Sequence, residues 1–144
     1  MSAFVLSLVI VQGLLGGYQW SCVAGADRTD SPTRATRLSP FVLFVHPFLA
    51  LVGAIVWIVW MNTGSRGVAW TGFAIFATGL VLGASMGART VGRSRYVSAP
   101  AGADSPADVA VAERTIPTPA LALHGLIGLA IVLLSLFLAM GRIG

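Results

Sequence analysis

The chain holds two histidines, His46 and His124, and each follows a helix-start signature: Ser39-Pro40 lies ahead of the first and Thr118-Pro119 ahead of the second. A Ser or Thr cap with Pro at the first helical position satisfies an amide donor and presets the backbone for a helix. Each histidine then sits five or six residues inside its helix, roughly 7 to 9 Å along the axis at about 1.5 Å per residue. Neutral imidazole is the commonest protein metal ligand. Two of them at matching depth, facing one another, would supply a pair of nitrogen ligands to one metal.

The elements that must position them are legible in the composition. Of 144 residues, 56% are hydrophobic and only 10% charged, with a mean hydropathy of +0.87; a soluble domain carries about a quarter charged residues. Four apolar stretches, 3–24, 41–61, 68–88 and 119–140, contain no Asp, Glu, Lys or Arg. Each is near the length of about 20 helical residues that crosses a hydrocarbon core of about 30 Å. The chain therefore reads as one membrane domain over 1–144, an all-α integral membrane protein built as a four-transmembrane-helix bundle.

All nine basic residues are arginine, and their placement orients the bundle. Arg28, Arg34, Arg37, Arg89, Arg93, Arg95 and Arg114 fall in the first and third connections, against Arg66 and Arg142 on the other side. The positive-inside bias puts the seven-arginine side in the cytoplasm and both termini outside, in a bacterial inner (plasma) membrane. The net charge of +4 is then explained by topology and anionic lipid headgroups, and implies no nucleic acid. Trp57, Trp60 and Trp70 cluster around the short outer turn, where they are expected as interfacial anchors. Ala24-Gly25-Ala26 resembles a cleavage site, but no basic residue precedes the apolar run, so the first span is expected to be retained. The single cysteine, Cys22, permits no internal disulfide and is expected to pack as a small apolar residue.

The turn 62–67 is short and holds Gly64 and Gly67, which predicts an antiparallel hairpin of the second and third spans. The stretch 97–117 carries Pro100, Pro106, Pro117, Asp104, Asp108 and Glu113 with little apolar periodicity, and is expected to be a flexible inner loop. Two spans per half, the second of each opening on Ser/Thr-Pro and bearing a histidine, form a weak parallel repeat. Gly13 and Gly17 in the first span, and Gly79, Gly83 and Gly87 in the third, have the four-residue spacing that lets helices approach closely. The third-span face suits a tight bundle, a homo-oligomer or a partner in a membrane complex.

Ala50 and Gly53 beyond His46, and Gly128 beyond His124, are expected to leave room on each histidine's own face for a flat macrocycle. That suits a b-type haem, with His46 and His124 as ligands of the haem iron and Arg37 and Arg89 pairing with its propionates. The layout of four spans and one histidine pair resembles, in outline, the membrane cytochrome b anchors of respiratory quinone-reactive complexes. It includes no diagnostic motif, and it lacks the second pair of two-haem cytochromes. Gln12 and Gln19 share a face of the first helix, and Gln19 lies between Tyr18 and Trp20. That face reads either as interhelical glue or as a quinone headgroup site at Gln19.

Plainer roles compete. His46 directly precedes Pro47 and would serve to satisfy backbone freed by the proline, and Met86 is either a soft ligand or lipid-facing packing. Two histidines without a carboxylate or thiolate make an incomplete zinc or copper site. No nucleotide loop, GxSxG, HExxH, CxxC or intramembrane carboxylate is present, which argues against hydrolytic and carboxylate-coupled transport chemistry. The sequence points to an electron-transfer module holding one haem b and exchanging electrons with quinone. The alternative is a non-enzymatic accessory or structural subunit.

Overall fold

The computed structural model describes residues 1–25, 38–90, 96–97, 109–110 and 112–141. Its long elements are four helices: α1 Ser2–Gly25, α2 Pro40–Thr63, α3 Arg66–Thr90 and α4 Thr118–Ala139. All four are long and apolar enough to cross a membrane. Their outward faces are apolar: along α2 the exposed residues include Phe41, Phe44, Phe48, Leu51 and Ile55, with Phe41 72% exposed. In water such a face would be a liability. Against lipid tails it costs nothing.

Helix starts differ in detail from the capping expected. Ser39 is extended (φ −64°, ψ 133°) and makes no side-chain cap bond, and at α4 Pro117 occupies the cap position (φ −60°, ψ 132°) with Thr118 already helical. The prolines set the starts through the backbone, since Pro has its φ preset for a helix and needs no amide partner in a first turn, and at α2 the residue before it, Ser39, is kept out of the helical region. Both histidines consequently fall on the seventh residue of their helices, counting from Pro40 and from Thr118.

Packing runs around a ring, α1 on α2, α2 on α3, α3 on α4 and α4 on α1, so that α2 and α4 stand across the diagonal. The α2–α3 connection is Gly64-Ser65, where Gly64 takes a left-handed conformation (φ 62°) and donates its N–H to Trp60 O at 2.8 Å. Only glycine adopts that backbone freely. One half of the bundle, toward this turn, is an apolar core of Val5, Val9, Trp57, Phe76, Ile131 and Leu138. Trp57 belongs to that core and is no interfacial anchor: it is fully buried, stacks near Trp60 and Phe76, and donates Nε1–H to Ser2 O at 3.2 Å. A buried indole needs such a partner. Trp70, 40% exposed, does face outward.

The other half, toward the arginine-rich connections, holds the histidines. Within the stretch expected to be flexible, Tyr96–Val97 pairs antiparallel with Val109–Ala110, and a 3-10 turn over Ala112–Thr115 follows; 98–108 and 111 lie outside the described residues. Thr115 Oγ1 donates to Cys22 O at 3.0 Å, fastening that turn to the end of α1.

Candidate functional site

His46 points from α2 toward α3, half-buried, with Nδ1 3.0 Å from the carbonyl of Gly79. A carbonyl only accepts, so the neutral ring carries its proton on Nδ1 and leaves the Nε2 lone pair free. The bond goes to α3, not to the carbonyl that Pro47 frees in α2, so the backbone-repair role expected for His46 is not what its Nδ1 does. The Cε1 corner of the ring meets Gly83, where an added Cβ would stand 2.9 Å from Cε1 and 3.6 Å from each ring nitrogen.

His124 comes from the diagonal helix and is also half-buried. Its ring lies against α1, with a Cβ at Gly16 falling 3.4 Å from Cε1. Gln12, one turn from Gly16 on α1, donates Nε2–H to the His124 carbonyl at 3.0 Å. The two imidazoles meet in the centre of the bundle with ring centroids 6.1 Å apart and planes inclined at 61°. Equal depth on diagonal helices has become direct juxtaposition.

Glycine supplies the room, though not from the positions expected. Gly53 is filled by Phe76, whose ring carbon Cε1 would lie 2.5 Å from a Cβ there, and Gly128 is filled by the Gln12 amide, 3.2 Å from a Cβ. Clearance at the rings comes from the neighbouring helices, through Gly83 on α3 and Gly16 on α1. At Gly13 and Gly17 an added Cβ meets nothing within 4 Å; the contact glycine of α1 is Gly16. It lies at i+4 from Gln12, with Gln19 at i+7, a single-face pattern that could have located it. On α3, Gly83 meets His46 inside the chain, while a Cβ at Gly79 or Gly87 would be unopposed.

The remaining candidates lie around this centre. Arg89 is exposed in the last turn of α3, six residues and about 9 Å along the axis beyond Gly83. Arg37 lies outside the described residues. Gln19 is half-buried and donates Nε2–H to Ala120 O at 3.1 Å, which makes it an α1–α4 contact, and Trp20 packs on Phe44 at 5.9 Å. Met86 is half-buried three residues beyond Gly83, its carbonyl accepting from Thr90 Oγ1 at 2.6 Å. Among the described residues no three His, Cys, Asp or Glu side chains gather as a metal-binding group. Two imidazoles fall short of the three- or four-ligand set that zinc takes from protein. Comparison of the chain with protein families, curated proteins and solved structures finds no match.

Proposed function

We propose that the chain is a membrane electron-transfer module in which His46 and His124 supply the axial nitrogens of one b-type haem. The observation that carries this reading is the facing of the two imidazoles at 6.1 Å between centroids. One metal ion held by both imidazoles, with bonds of about 2 Å and the ring halves added, would separate their centroids by about 6 Å. Three further facts favour it. His46 spends Nδ1 on a carbonyl, which is how ligating histidines are oriented and leaves Nε2 for iron. The helices that flank the pair, α1 and α3, present Gly16 and Gly83 at its level. Arg89, in the last turn of α3, offers a cation on the headgroup side that would pair with a propionate, with Arg37 as its expected counterpart.

Bound haem would supply one-electron exchange between ferric and ferrous iron; the chain would supply ligands, a low dielectric and charge partners. The seven-to-two arginine bias supports a histidine half in the cytoplasmic leaflet of a bacterial inner membrane, with both termini outside. The electron partner is a quinone at the α1 edge, where half-buried Gln19 lies between exposed Tyr18 and Trp20. The test is expression with ample haem, purification and a reduced-minus-oxidised optical spectrum. A b-type spectrum lost in both His46→Ala and His124→Ala supports the proposal, and Gln19→Leu should leave it unchanged while slowing reduction by quinol. A colourless protein would overturn it and leave the accessory-subunit reading, in which the glycine-rich α3 contributes helix contacts alone.

A further inference from the structure

Two buried polar atoms beside the histidine pair lack a partner, His124 Nδ1 and Gln12 Oε1. They are chemically complementary, because the amide oxygen only accepts and the imidazole nitrogen can carry a proton. Inside a bundle surrounded by lipid, orphaned polar atoms are costly, and no bulk water is present to satisfy them. The amide is also anchored at the same residue. Its Nε2 donates to the His124 carbonyl at 3.0 Å, in a seat that a Cβ at Gly128 would crowd at 3.2 Å. Turning the amide over would set oxygen against oxygen at that carbonyl, so the hydrogen-bond network fixes Oε1 as the free end.

We infer that Gln12 is the positioning residue for His124: its Oε1 accepts a hydrogen bond from Nδ1–H, directly or through one buried water, and holds Nε2 toward the partner ring. His46 then has Gly79 O and His124 has Gln12 Oε1, and both rings are held in the same tautomer with both Nε2 lone pairs available. The purpose of this arrangement rests on the haem-ligand reading. Its test does not. A neutral amide acceptor also leaves the ring less electron-rich than a carboxylate would, which sets the direction of any effect on the iron.

The experiment is nitrogen NMR of the haem-free full chain, labelled at histidine, in lipid nanodiscs; with only two histidines, His46→Ala assigns both rings. Wild type should show His124 as the Nδ1–H tautomer, and Gln12→Leu should convert it to Nε2–H, the form free imidazole prefers. Gln19→Leu, which removes an equivalent bond to α4, should leave His124 unchanged, separating positioning from helix glue. The Gly79-bonded His46 signal reports an intact bundle in the same spectra. Gln12→Glu, as the neutral acid, keeps a donor for the His124 carbonyl and an acceptor for Nδ1–H and should keep Nδ1–H. An Nε2–H wild type, an unmoved tautomer in Gln12→Leu, or loss of Nδ1–H in Gln12→Glu would each overturn the inference. A colourless chain with His124 as Nδ1–H would refute haem binding and leave the Gln12 assignment standing.

Discussion

At His46 the choice between two roles is made by one bond. A histidine placed just before a proline has a ready use in mending its own helix, yet its Nδ1 reaches across to Gly79 on α3, and Gly83 makes room for the Cε1 corner of the ring. The seat is tight. In Gly83→Ala the new methyl would meet Cε1 at 2.9 Å, and an imidazole held between α3 and His124 has no flexible end to yield. The ring must turn and give up Gly79. Overpacking of this kind costs about 1–3 kcal/mol, so haem affinity should fall by about tenfold, each 1.4 kcal/mol being a factor of ten. Gly87→Ala, four residues on with nothing within 4 Å of its Cβ, should bind as wild type. Haem titration of the two variants side by side checks this, and equal affinities would remove Gly83 from the site.

The α2–α3 hairpin shows why the right glycines were hard to pick from the sequence. Three side chains are seated on glycines across it, Phe76 on Gly53, Trp57 on Gly72 and His46 on Gly83. Each pair lies symmetrically about the Gly64-Ser65 turn. Folding the sequence about that turn would have matched all three, whereas reading each helix alone assigned Gly53 and Gly128 to the histidines of their own helices and Trp57 to the interface. Helix periodicity says which residues share a face, but only the register of a neighbour says what fills it. The spans and the depth of both histidines depend on local pattern, and these were legible. The partner glycines Gly16 and Gly83 depend on tertiary packing, and were not. The same seats predict unequal tolerance: Gly53→Ala drives a Cβ to 2.5 Å from the Phe76 ring and should destabilise the bundle by about 1–3 kcal/mol. Gly72→Ala meets Trp57 at 3.4 Å and should be far milder. Unfolding of both variants in mixed micelles gives the comparison, and equal stabilities would argue against a fixed register.

Across the whole molecule the two halves of the bundle differ in what they pack. Val5, Trp57, Phe76, Ile131 and Leu138 pack the half near the Gly64 turn, while the half near Arg89 carries imidazoles, amides and glycines. Interhelical side-chain bonds in membranes are worth about 0.6 kcal/mol on average. The bonds of Gln12 and Gln19 to α4 therefore add little to a bundle held by close packing, and their variants should stay folded. Orientation follows from charge: Ser98→Cys, in a Cys22→Ser background, should be labelled by an impermeant thiol reagent only from the cytoplasmic side. Labelling from the exterior would invert the bundle and move the histidine half to the outer leaflet.

The central claim is that these two imidazoles, and no other pair of groups, hold one iron. Near-infrared magnetic circular dichroism of the oxidised, haem-loaded chain reads the axial ligands directly. Bis-imidazole ligation at one haem per chain is the result expected from rings that already face one another at 6.1 Å. A histidine–methionine signature, which would bring Met86 to the iron in place of one histidine, or a chain that takes up no haem, would contradict it.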